Sequence, residues 1–226
     1  MTVDETADLL ATSIAEAASK IESARAKINL ALHVLNRRPD GYHALDSLVV
    51  FAELADTLTA FSRDESVVEM SVDGDFAEVL AETTLPEDNL VWSVADALIR
   101  AFPDRIPGGI RLNLTKDLPV AAGLGGGSAD AAATLRLLNR IWSLGLNTSE
   151  LVELGASLGA DVPVCVLSRP ARMEGIGERV TPLTTVRRCR SFSSIPAWRW
   201  RPARSSAVSG QRIGHRCRRC RSSSSR

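Results

Sequence analysis

An α+β fold is what this chain predicts, on three observations. Two segments, Ala26–Leu35 and Gly108–Lys116, alternate apolar and polar residues at a period of two, as half-buried strands do. Three others, Pro86–Phe102, Ala131–Leu144 and Thr148–Leu158, repeat their apolar residues at helical spacing. Strands dominate the first part and then alternate with helices, which suits a mixed layer architecture.

Taken in order, Thr2–Ile21 carries Leu9, Leu10, Ile14 and Ala17 on one side and reads as an appended helix. The strand Ala26–Leu35 then places Ile28, Leu30, Leu32 and Val34 on one face and Lys27, Asn29, Ala31 and His33 on the other. Arg37–Gly41 is a turn by its Pro-Asp-Gly chemistry, and strands are expected at Ala44–Leu54, Thr57–Phe61 and Val67–Val72. A helix starts at Pro86-Glu-Asp-Asn89 and runs through Phe102, with Leu90, Val94, Ala97 and Leu98 as its apolar stripe. Ile110, Leu112 and Leu114 line one side of the next strand. The Thr148–Leu158 helix begins at an Asn147-Thr-Ser149 cap, with Glu150 in its first turn. Gly159–Leu167 is apolar except for Asp161 and Pro163 and reads as a buried strand with a carboxylate at its mouth, costly there unless paired or used.

The charge balance has to be read in two parts. The chain of 226 residues holds 27 basic and 27 acidic residues. Arg187–Arg226 contains twelve arginines and no acid, so residues 1–186 hold 15 basic against 27 acidic residues. That acidity argues against nucleic acid as the natural partner. Cys165 lies in an apolar run as a buried free thiol, and Cys217-Arg-Arg-Cys220 lacks the second pair that a zinc site needs. No apolar run approaches the roughly 18 residues of a membrane span, and the acidic N-terminus is unlike a secretory signal, so a cytoplasmic protein is expected.

The chemistry concentrates at Pro119–Ala132, where Gly123, Gly125, Gly126 and Gly127 precede a helix expected to begin near Ser128. Glycines let a backbone approach an anion closely, and a helix N-terminus aims free N–H groups and positive dipole at it. The loop has neither the lysine of a Walker A motif nor dinucleotide-fold spacing, which leaves another kind of nucleotide loop.

Ala24-Arg-Ala-Lys-Ile-Asn-Leu30, Asp40-Gly-Tyr-His43, Pro119–Ala132 and Gly159-Ala-Asp-Val-Pro163, in that order, resemble the successive signatures of the GHMP kinase superfamily, in its branch acting on 4-diphosphocytidyl-2-C-methyl-D-erythritol. The likeness runs from about Ser23 to Leu183, and Asp40–His43 is the motif that points to this branch. It implies a GHMP N-terminal domain (ribosomal protein S5 domain 2-like) over 23–186, following a helical extension over 1–22. It further implies an ATP-dependent kinase, with Mg2+ carried by ATP near Ser128, that phosphorylates the 2-hydroxyl of the cytidine-diphosphate-linked methylerythritol in the non-mevalonate isoprenoid pathway. By matching positions, Asp161 is the catalytic base and Lys27 steadies it and the transferring phosphoryl. Pro119, Val120, Ala121, Ala122, Gly123, Leu124, Gly125, Gly126, Gly127, Ser128 and Ala129 cradle the phosphates. Asn29, Tyr42 and His43 hold the substrate, the last two at its cytosine. The alternatives are another small-molecule GHMP kinase, such as a homoserine or mevalonate type, and a nucleotide-binding remnant with weak activity or none.

After about Thr185 the likeness stops, where the family continues into a second α+β domain that helps close over the substrate. The Arg, Ser, Cys, Trp and Pro of 187–226 have the composition of a GC-rich gene read out of frame. They are expected to be disordered. The other reading is an arginine-rich arm for a polyanion, with Trp198 and Trp200 for stacking.

Overall fold

The structure is a computed structural model that describes residues 20–39, 41, 43–63, 67–85, 88–184 and the backbone of 213–216. The strands are β1 (Ile21–Arg37), β2 (His43–Arg63), β3 (Val67–Asp73), β4 (Gly109–Thr115), β5 (Ala171–Gly175), β6 (Arg179–Pro182) and β7 (Ile213–Arg216). The helices are α1 (Ala77–Thr83), α2 (Leu90–Ala101), α3 (Gly126–Ile141), α4 (Thr148–Leu158) and α5 (Val162–Leu167).

Among the described residues, seven strands form one sheet in the order β6-β5-β2-β4-β3-β7, with β1 also paired to β2. β2 is its hub. One edge of β2 pairs antiparallel with β1, while its other edge pairs with β5 over Leu45–Val49 and with β4 over Thr57–Arg63. β3 runs parallel to β4. The core lies between this sheet and the helices: Val49, Leu58, Ile110, Leu112 and Leu114 from the strands meet Val91, Val94 and Leu98 of α2, Leu135, Leu137 and Leu138 of α3, and Val162, Val164 and Cys165 of α5.

Ile110, Leu112 and Leu114 are fully buried, as the alternation in β4 predicts. In α2, Asn89 caps the helix by accepting the Val91 amide, and the deepest residues are Val91, Val94, Ala95 and Leu98. The α4 cap is a full capping box: Asn147 accepts the Glu150 amide and Glu150 returns the bond to Asn147 N. Cys165 is buried and free, and burial pushes its thiol up to about 12.

Several expectations change. The two strands expected over 44–61 are one continuous strand, because Asp56 occupies an inward position of β2 instead of ending it. Gly159–Leu167 holds a helix, not a strand: Pro163 sits in the first turn, where its missing N–H costs nothing. The strict alternation expected of β1 does not persist along its length. Register shifts at Arg25/Lys27, Asn29/Ala31 and Val34/Asn36 break the alternation, and Leu30, Leu32 and Val34 are exposed. Helix α1 and strands β5 and β6 were not anticipated. β7 falls in the tail expected to be without structure; its backbone pairs antiparallel with β3, whose outer edge otherwise presents unpaired N–H and C=O groups. The expected N-terminal helix lies outside the described residues except for Lys20 and Ile21. Among the described residues no helix is long and apolar enough to cross a membrane.

Leu112 belongs to the middle strand of this core, so Leu112→Ala is expected to lower unfolding stability by about 2–5 kcal/mol, read from urea denaturation midpoints.

Candidate active site

The glycine loop joins β4 to α3 on the helical side of the sheet. Gly125 takes the left-handed conformation, φ 64°, as the N-cap of α3. The first intrahelical bond runs from Ala129 N to Gly125 O at 2.8 Å, so the Gly126, Gly127 and Ser128 amides belong to the turn whose N–H groups have no intrahelical acceptor. These amides converge at the positive end of a helix running to Ile141, and can accept an anion such as a phosphate. Ser128 places its hydroxyl on that first turn.

Gly125 also needs its missing side chain for a second reason. A Cβ there would lie 3.2 Å from both Cβ and Cε of Lys27. The loop therefore rests on the Lys27 stem, and Lys27 N donates to Leu124 O at 2.9 Å. Lys27 is buried, and its Nζ meets Asp161 Oδ2 at 2.9 Å. Asp161 precedes α5 but makes no capping bond to it; its side chain turns to Lys27 and stays 37% exposed. The pair has one member sunk beneath the loop and the other facing solvent.

Arg136 of α3 braces this arrangement. Its guanidinium donates to Glu22 Oε1 on β1 at 2.8 Å and to the Cys165 and Val166 carbonyls at the end of α5, at 2.8 and 3.2 Å. One side chain thus ties together the strand carrying Lys27, the helix carrying the loop and the helix following Asp161.

Asn29 lies two residues beyond Lys27 with no register shift between them, so the two share a face of β1. Its Oδ1 accepts from the Ser47 hydroxyl at 3.0 Å, and that hydroxyl also reaches Ala31 O. His43 is exposed at the start of β2 and is not brought to Lys27. It stands about 26 Å along an extended strand from Phe51, the partner of Lys27. Tyr42 and Asp40 lie outside the described residues, while Gly41, φ 88°, donates to Arg38 O in the expected turn.

A second buried cluster, not anticipated from the sequence, lies directly under the loop. Lys116 Nζ meets Asp56 Oδ2 at 2.5 Å and Asp130 Oδ2 at 2.6 Å. Asp56 Oδ1 accepts the Asp117 and Leu118 amides, both at 2.7 Å. A Cβ on Gly126 would stand 3.1 Å from Lys116 Nζ. The signal was legible: Lys116 continues the inward phase of Ile110, Leu112 and Leu114, and Asp56 that of Leu58 and Ala60. A charge at an inward position of a strand requires a buried partner. Burial pushes the Asp130 carboxyl up to about 7, with the Asp56 carboxylate acting in the same sense and Lys116 against it. Lys116 itself is held above its usual range, because its two carboxylates outweigh the opposing effect of burial.

The chain is similar to several known proteins. Residues 89–169 match the GHMP kinases N terminal domain. The chain is 51% identical over 160 residues to a 4-diphosphocytidyl-2-C-methyl-D-erythritol kinase from Ruegeria pomeroyi, covering 71% of this chain and 52% of the relative. It is 50% identical over 175 residues to the protein of that name from Gluconacetobacter diazotrophicus, covering 74% and 56%. A crystal structure of 4-(cytidine 5'-diphospho)-2C-methyl-D-erythritol kinase superposes with a TM-score of 0.59 at 37% identity, covering 72% of this chain and 55% of that one. A Methanococcus jannaschii mevalonate kinase shares the fold at 12% identity, with a TM-score of 0.55, covering 73% and 56%. The chain spans about half the length of the curated relatives it matches.

The raised Asp130 carboxyl fixes the sign of a pH effect. Unfolded, it titrates near its ordinary 3.8; folded, near about 7, so between these values the folded state keeps a proton that the unfolded state has released. The stability linked to that proton is fully present below about 4 and lost as pH rises through about 7. Urea midpoints of the unaltered chain and Asp130→Asn are therefore expected to move apart in favour of the variant as pH rises across this window. Asp46, held below the usual carboxylate range by Arg172, shifts stability the other way in both proteins and cancels in the difference.

Proposed function

We propose that the chain is a GHMP kinase carrying the N-terminal domain of that family, and that it transfers the γ-phosphoryl group of ATP to the 2-hydroxyl of 4-diphosphocytidyl-2-C-methyl-D-erythritol. This would be a step of the non-mevalonate isoprenoid pathway. The observation that carries the reading is the Lys27–Asp161 ion pair seated against the glycine loop, with its carboxylate open to solvent. The names borne by the relatives at 50–51% identity support the choice of substrate.

In this reading the Gly126, Gly127 and Ser128 amides hold the phosphate oxygens, and Pro119–Ala129 wraps the triphosphate. Among the described residues no three His, Cys, Asp or Glu side chains gather into a metal cluster. The oxygen donors at hand, the Ser128 hydroxyl and the Asp161 carboxylate, suit Mg2+ that arrives bound to the triphosphate, where it would supply charge neutralisation. Asp161 takes the proton of the substrate hydroxyl as the new O–P bond forms, the bond between the γ-phosphorus and the β-phosphate oxygen breaks, and ADP departs. Lys27 keeps the carboxylate aimed and meets the negative charge of the transferring group. Such transfer asks mainly for positioning and charge stabilisation, which a rigid ion pair and a fixed anion nest supply.

Asn29, sharing the face of Lys27, would contact the diphosphate-methylerythritol portion. Tyr42 and His43 would engage the cytosine, and the separation of His43 from Lys27 along β2 suits an elongated substrate rather than a small one. A protein acting at this step would work in the cytoplasm.

ADP release measured with and without the cytidyl substrate tests the proposal: substrate-dependent release is expected, whereas nucleotide binding without it would leave only a binding remnant. Asp161→Asn and Lys27→Met are each expected to lower kcat by about 10²–10⁴-fold, with Asp161→Asn leaving ADP affinity nearly unchanged in a calorimetric titration.

A further inference from the structure

We propose that the buried Lys116–Asp56–Asp130 triad is the positioning device of the phosphate loop, holding its amides convergent before nucleotide arrives. The inference rests on the reading of that loop as the ATP site. It assigns a role to three residues that neither touch solvent nor reach the Lys27–Asp161 pair.

The geometry points to the loop because the triad grips both of its ends. Where the chain enters, Asp56 Oδ1 accepts the consecutive amides of Asp117 and Leu118. Where the chain leaves, Asp130 lies in the first turns of α3 and takes Lys116 Nζ on Oδ2. Lys116 closes the circuit, bonding Asp56 and Asp130 while occupying the space below Gly126 that any larger residue would invade. Strand β2, the exit of β4 and the start of α3 therefore share one ammonium.

The chemistry is an expensive way to make a core. Two carboxyl groups share one buried ammonium, and Asp130 Oδ1 is buried with no hydrogen-bond partner among the described residues. Apolar side chains of similar volume would hold the same elements together at least as well, so what the ionic arrangement adds is direction. Its bonds fix the rotation of the first turn of α3 and the path of 117–118, the two variables that decide whether the loop amides converge. A preformed nest spares the ligand the ordering of the loop, and this gain appears as affinity.

The test compares nucleotide affinity at matched destabilisation, using Mg·ADP titrations of the full chain by calorimetry with thermal midpoints by circular dichroism. Asp130→Ala is expected to weaken Mg·ADP binding by about tenfold or more. Leu137→Ala, a cavity in the same helix, is expected to lower the midpoint at least as far while leaving the affinity within about twofold. Asp130→Asn, which still offers Lys116 an oxygen, is expected to recover most of the affinity. Should Asp130→Ala not fold, Lys116→Met/Asp130→Leu decides: an apolar pair of similar volume that keeps the midpoint yet loses the affinity supports the role. Equal affinities in the unaltered chain and these variants would overturn it while leaving the nucleotide site intact. No Mg·ADP binding by the unaltered chain would overturn both the site and the role.

Discussion

An ammonium group stripped of water must be met by a carboxylate, and this fold buries two of them. Lys27 and Lys116 lie at 3% and 2% exposure on either side of one loop, and each is answered by an acid from a distant part of the chain. The cost of leaving either unpaired exceeds what a single packing contact returns. Much of the surrounding structure can be understood as what brings those carboxylates into place. Asp161 arrives on α5, Asp56 on the inward side of β2 and Asp130 on α3.

The two clusters differ in exposure. Asp161 keeps part of its surface in solvent. Asp130, sealed beneath the loop, has no such open surface. The glycine loop lies between them, its Gly125 against one lysine and its Gly126 against the other. Gly125 is therefore doubly constrained, by a left-handed backbone and by the lysine stem beside it.

How far the sequence carried this picture depends on the range of each signal. Strand β4, helices α2 and α4 with their asparagine caps, and the nest at α3 follow from local patterns, since period and capping chemistry are contained within a dozen residues. The Lys27–Asp161 pair was legible only through the ordered motifs, because nothing local says that positions so far apart will meet. Asp56 and Lys116 were visible as charges on inward phases, but no sequence rule names the partner of a buried charge. Segment 162–167 misled because Val, Pro, Val, Cys, Val and Leu favour a strand in isolation, while packing against α3 and α4 decided for a helix. β1 misled because its pairing with β2 shifts register at three places that the alternation of its own residues does not reveal.

The pairing scheme of β2 also governs when the lobe can exist at all. One edge of that strand is completed by Ala171–Val49 and its neighbours, bringing together segments more than a hundred residues apart, and Arg136 reaches back over a similar separation to Glu22. Such contacts repay the entropy of closing their loops only after most of the chain is present. On the ribosome, the hairpin of β1 and β2 would therefore wait for the pairing that completes the other edge of β2 until β5 has emerged. Acquisition of structure is then a late event in synthesis, and the interval before it is when this chain most needs a chaperone.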